Sequence, residues 1–136
     1  MTLEVDNYKK ASILYKIAVK FKTRGLKTKS RQYARKALKF QPSMGKAYLL
    51  IANLYASSAN DCGETQFEKR SIYWLAAQQA RKAANVDPST KKTALSMAKS
   101  YEGRAPTRTD IFTEGKEGQI ITFSCWIKDK ITVPKL

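Results

Sequence analysis

Three stretches decide the fold: Leu14-Tyr15-Lys16-Ile17-Ala18-Val19-Lys20-Phe21, Tyr48-Leu49-Leu50-Ile51-Ala52-Asn53-Leu54-Tyr55 and Ala94-Leu95-Ser96-Met97-Ala98-Lys99-Ser100-Tyr101. In each, the first, fourth, fifth and eighth residues fall on one face of an α-helix. A small alanine sits in the middle of that face and an aromatic ring at its end. A second set of residues recurs behind them. Ser30, Ala34, Ala37 and Pro42 come after the first stretch, and Ala76, Ala80, Ala83 and Pro88 after the second. The step from Leu14 to Tyr48 is 34 residues and that from Tyr48 to Ala94 is 46, with the twelve extra residues lying between Tyr55 and Ala76.

Working outward, the periodicity predicts helices over 8–23, 29–40, 44–57, 67–85 and 90–102. Gly25 should stop the first helix, Thr28 cap the second and Gly103 end the fifth. Pro42 and Pro88 break the chain between pairs, because proline restricts the residue before it. The polar run 58–67 reads as a loop. Beyond Pro106 the character changes. Thr107 with Asp110 predicts a capped helical turn through Glu114. The β-branched and aromatic run 119–127 predicts a strand, 128–130 a turn and 131–133 a second strand. Such a hairpin is marginal alone and should dock on the helices, with Phe123, Cys125 and Ile127 on one face and Trp126 on the other. The chain thus divides into an N-terminal extension (1–7), a helical domain (8–104) with an insertion near 58–69, and a C-terminal extension (105–136).

With 136 residues, 43% of them hydrophobic, one domain with a core is expected. No apolar run approaches the ~20 residues needed to span a bilayer. The N-terminus lacks the basic start and apolar segment of a signal peptide and reads as an internal boundary of a longer protein. There is no histidine, which removes His-based triads, Cys–His dyads and His-containing zinc sites. The catalytic candidates reduce to Cys62, Cys125, Glu64 and Glu68. Glu64 and Glu68 read as a helix-start charge pair. The cysteines would pair in an oxidising compartment if they met in space, but the reading favours two free, partly buried thiols. No phosphate loop, dinucleotide fingerprint or metal motif is present, so no catalytic residue, cofactor or metal is expected.

The net charge is +15 and unevenly placed: residues 7–60 hold thirteen bases and no acid, whereas 61–136 hold thirteen bases and nine acids. Lys29, Arg31, Arg35, Lys36 and Lys39 should face outward on the second helix, and Arg31 and Arg35, one turn apart, are spaced to clamp a phosphate. Tyr33 lies on the buried stripe, which argues against base stacking, and no helix-turn-helix, zinc-finger or RNA-recognition signature accompanies the charge.

The large–large–small–aromatic pattern of the first helix, followed by alanines and a proline, resembles the tetratricopeptide repeat over about residues 11–103. Leu14, Tyr48 and Ala94 stand where tryptophan is usual. The resemblance implies an all-α fold of about two and a half helical hairpins stacked as an α-solenoid. Phe21, Tyr55 and Tyr101 would fill the gaps between hairpins, and the C-terminal β-hairpin would cap the stack over the fifth helix. It also implies a groove lined by the first helix of each pair. Spacing places Tyr15, Val19 and Lys22 there, then Lys46, Leu49 and Asn53, then Lys92, Leu95 and Lys99. The lysine–asparagine clamp of chaperone-tail binders is absent, since Tyr15 and Val19 take those places. Residues 71–76, 86–89, Tyr101, Pro106, Ile111-Phe112, Glu114-Gly115 and Trp126-Ile127 are further similar to the C-terminal ends of tetratricopeptide proteins common in Bacteroidetes. That implies the C-terminal piece of a longer, exported, envelope-associated protein. The expected function is a non-enzymatic scaffold that binds a peptide or protein, acidic in character, through a groove with basic rims. The alternative is binding of nucleic acid or another anionic surface through the basic face of residues 9–46.

Overall fold

Gly25 turns the chain at a left-handed φ of +76°, which an L-residue with a side chain adopts at a cost. Its N–H donates to the Lys22 carbonyl and the Leu26 N–H reaches back to Phe21 (2.9 Å each), so the first helix closes and the next begins at once. The computed structural model describes residues 3–136. Its order is α1 (Leu3–Thr23), α2 (Lys27–Phe40), α3 (Gly45–Ala56), a 3₁₀ turn (Ala59–Asp61), α4 (Gln66–Val86), a 3₁₀ turn (Pro88–Thr90), α5 (Lys91–Arg104), the short α6 (Arg108–Glu114), β1 (Ile120–Phe123) and β2 (Asp129–Thr132). The chain is therefore mostly helical with one small antiparallel hairpin.

Several helix ends differ from the sequence reading. Helix α1 starts at Leu3, within the segment expected as an extension, with Glu4 and Asp6 in the first turn and Lys20 and Lys22 in the last, all matched to the helix dipole. Met1 and Thr2 of that extension lie outside the described residues. Thr28 does not cap α2: Leu26 holds the cap position without a side-chain bond, because the Gly25 turn is tight enough to start the helix at Lys27. Helix α5 runs through Gly103 and stops at Ala105, whose extended backbone precedes Pro106. Two capping boxes start α4 (Thr65 with Glu68) and α6 (Thr107 with Asp110).

From α1 to α5 each helix packs on the next, most extensively α1 on α2, α3 on α4 and α4 on α5, and α3 also touches both α1 and α5. Thus α1, α3 and α5 form a row. Ala18, Ala52 and Ala98 are fully buried, as are Ala34, Ala76, Ala80 and Ala83. Such small side chains let helix axes approach closely. Ile51, Leu54, Tyr55, Ile72 and Leu75 fill the space between. Tyr55 and Tyr101 are buried as expected. Phe21 is only half-buried, resting on Tyr33 of α2 (centroids 5.3 Å apart) under the Lys29 ammonium.

The hairpin pairs Ile121 with Ile131 and Phe123 with Asp129. Its first strand is shorter than the expected 119–127, and residues 124–128 form the connection, with Lys128 at φ +47°. The reason lies in α2. The Arg31 guanidinium takes the Ile127 carbonyl (2.7 Å) and the Trp126 carbonyl (3.3 Å). Ile121, Phe123, Ile127, Ile131 and Val133 are buried. Trp126 does not face away from them into solvent: it is half-buried beside Tyr55, and its indole N–H donates to Ser58 (2.9 Å). The hairpin's main helical partner is α4 rather than α5. Cys62 and Cys125 are not free thiols. They form a disulfide, with Cα atoms 5.5 Å apart, that ties the insertion to the hairpin connection. Among the described residues no helix is long and apolar enough to cross a membrane.

Candidate functional site

The row α1–α3–α5 carries the residues assigned to a groove. Tyr15 and Lys46 meet across α1 and α3, the ammonium lying 4.6 Å from the ring centre. Tyr15 and Leu49 are half-buried against the main core, and Leu95 against a smaller cluster of Ala83, Ala84 and Ala94. Burial raises the Tyr15 hydroxyl above its usual value. Val19, Lys22, Asn53, Lys92 and Lys99 are exposed. Asn53 shares a hollow of about 390 Å³ between α3 and α5 with Ser57, Met97, Ser100, Tyr101 and Arg104. At its edge Tyr101 stacks on Tyr73 of α4 (6.4 Å), and Arg104 lies over the Tyr73 ring (5.8 Å). Tyr15 with Lys46, and Asn53 with its hollow, are the parts brought together. Lys22, Lys92 and Lys99 stand apart, with no hydrogen bond, ion pair or ring contact to their ammonium groups among those described.

The basic face splits. Lys29, Arg35, Lys36 and Lys39 are exposed on α2. Arg31, Arg35, Lys36 and Lys39 line a shallow hollow of about 390 Å³ with Thr28 and Gln32. Arg31 shares that hollow but is half-buried, and its guanidinium is engaged within the protein. It donates to the Tyr55 hydroxyl (3.1 Å) as well as to the two hairpin carbonyls, and its guanidinium lies 4.9 Å from the Trp126 ring centre. Arg35 also reaches the Tyr55 hydroxyl (3.5 Å), so the two guanidiniums converge on Tyr55 rather than standing free as a clamp. Two ion pairs, Arg70–Asp110 (2.9 Å) and Arg81–Glu102 (2.6 Å), lie in the second half of the chain.

The residues weighed for catalysis have other work here. Cys62 and Cys125 are consumed in the disulfide. The Glu68 carboxylate accepts the N–H groups of Glu64 (2.8 Å) and Thr65 (3.2 Å) at the start of α4. No group of three or more acidic or cysteine side chains is arranged to hold a metal among the described residues.

Sequence reading missed two junctions. At the first, Ser58 is completely buried and accepts from the Lys27 ammonium (2.8 Å) and the Trp126 indole (2.9 Å). The signal was a serine pair following a strongly apolar helix. At the second, Arg70 reaches the carbonyls of Arg104 and Ala105 and the Asp110 carboxylate, fixing the end of α5 to the start of α6. The chain matches no protein-family model, no curated protein and no solved structure.

Proposed function

We propose that the chain is a non-enzymatic interaction module of about two and a half tetratricopeptide-like helical hairpins. It binds an extended peptide or protein segment along the row α1–α3–α5. The observation that carries this reading is the adjacency of the three helices bearing the repeated stretch, with Ala18, Ala52 and Ala98 all fully buried and Tyr15 meeting Lys46 between the first two. Lys22, Lys46, Lys92 and Lys99 give the row a positive rim, which suits an acidic partner. The resemblance to envelope-associated proteins gains support from the disulfide, which persists in oxidising compartments.

Selection of a random peptide library on the oxidised protein tests the reading. The selected peptides should be rich in Asp and Glu, and Lys22→Glu/Lys46→Glu/Lys99→Glu should weaken them at least about tenfold, near 1.4 kcal/mol or more. Binding unchanged in that variant would remove the groove. A second reading, binding of an anionic polymer or surface, is favoured by a specific observation: no base from Lys10 to Lys46 is ion-paired among the described residues. It predicts that log affinity for a nucleic acid falls steeply and linearly with log salt. A flat response, or no binding near physiological salt, excludes it.

A further inference from the structure

Between the α1–α2 turn and the hairpin connection lies an open cleft of about 560 Å³, within the usual range of small-molecule sites. Gly25, Leu26, Lys27, Thr28, Lys29, Gln32 and Trp126 line it. Its apolar part is the Trp126 ring and the Leu26 side chain, which is 44% exposed although leucine is normally covered. Gly25 adds open space, since a Cβ there would meet nothing within 4 Å.

The aromatic wall is held from several sides. The Trp126 indole is bonded to buried Ser58, Arg31 lies over the ring, Tyr55 packs beside it, and the preceding residue, Cys125, is covalently joined to Cys62. A ring fixed in advance loses little conformational freedom when a ligand stacks on it. The polar part has one sign. Lys27 and Lys29 line the cleft, no lining residue is acidic, and no acid occurs in the chain between Asp6 and Asp61. Lys27 is held in place by Ser58 (2.8 Å), whereas the Lys29 ammonium rests over the Phe21 ring without a carboxylate partner. Thr28 and Gln32 supply neutral hydrogen-bonding groups.

We propose that this cleft is a second binding site, separate from the helix row, for a small planar aromatic anion: a ring that stacks against Trp126 and Leu26, with a carboxylate or sulfonate directed at Lys29. The ring's apolar area and its charge are both required, because the wall is apolar and the only charges on the rim are those of Lys27 and Lys29.

The experiment titrates 2-naphthoate into the oxidised, ¹⁵N-labelled full chain. It follows the Trp126 indole N–H, told from that of Trp74 by a Trp126→Phe variant. A saturable shift of the Trp126 signal, with Kd below about 1 mM, is expected, while Trp74 stays in place. Hexanoate, an anion without the ring, and 2-naphthylmethylamine, the ring with a positive charge, should bind at least about tenfold more weakly. Lys29→Glu and, independently, Gln32→Glu place a carboxylate on exposed side chains of the cleft. Each should weaken naphthoate by a similar factor while the free variant keeps the dispersed spectrum and the Trp74 position of the folded parent. No saturable shift, a shift confined to Trp74, equal binding of the amine, or undiminished binding by both variants would overturn the proposal. None of these outcomes depends on the groove lysines.

Discussion

Ser58 shows how much one small buried hydroxyl can join. It donates to the Leu54 carbonyl of α3 (2.8 Å) and accepts from Lys27 at the start of α2 and from Trp126 in the hairpin connection. Ser58→Ala would leave the Trp126 indole N–H without its partner in a half-buried place. The expected loss is about 1–3 kcal/mol by denaturant titration, with the Trp126 indole signal displaced. Arg31 is the second junction residue. Arg31→Lys keeps the charge but loses the planar fork that reaches Tyr55, Trp126 and Ile127 together, so its thermal midpoint should fall nearly as far as that of Arg31→Ala. A midpoint for Arg31→Lys equal to the parent would mean that charge alone suffices. Gly45 is required for another reason. A Cβ there would meet Asp87 Cβ at 2.7 Å and the Thr90 hydroxyl closer still, where the start of α3 abuts the turn before α5. Gly45→Ala should destabilise by about 1–3 kcal/mol, read in the same titration.

At the scale of elements, two aspartates hold turns together and link them to pH. The Thr107 N–H, the Thr107 hydroxyl and Arg70 hold the Asp110 carboxyl below its usual value. The Ser89 hydroxyl, followed by the N–H groups of Gly45, Ser89 and Thr90, does the same for Asp87. A carboxyl depressed in the folded state stabilises above its unfolded value, about pH 4, and that contribution disappears as pH falls through the lower folded value. Thermal midpoints measured from about pH 5 to 2 should therefore fall, and Asp87→Asn and Asp110→Asn should each flatten the fall. An unchanged slope in both variants would refute the linkage. The same elements show what a single sequence can reveal. Helices α3 and α4 were readable because Ile51, Ala52 and Tyr55, or Ala76, Ala80 and Ala83, repeat at helical spacing, and Thr107 with Asp110 announces its own cap. Arg31 was not. Its helix position is among outward residues, and its acceptors lie 95 and 96 residues away. The shortened β1 and the inward turn of Trp126 follow from that same distant contact. For the candidate groove, the order of helices was legible, while the meeting of Tyr15 and Lys46 required their mutual placement.

Across the whole molecule, charge and covalent linkage divide the chain at nearly the same point. The uncompensated bases lie before Asp61, and the disulfide begins at Cys62. The two ends of the enclosed segment cannot separate in the unfolded chain, which for 63 residues corresponds to up to about 4 kcal/mol of stabilisation in the chain-entropy account. Reduction should lower the thermal midpoint, and Cys62→Ser/Cys125→Ser should reproduce the reduced value. Equal midpoints for oxidised and reduced protein would show that the link adds nothing.

The closed segment also bears on mechanical load. Helices α4, α5 and α6 and strand β1 all lie inside the ring that Cys62 and Cys125 complete, so tension applied to the two termini passes across the sulfur bridge and never reaches them. An optical-trap stretch of the oxidised protein should release a contour about 220 Å shorter than that of the reduced protein.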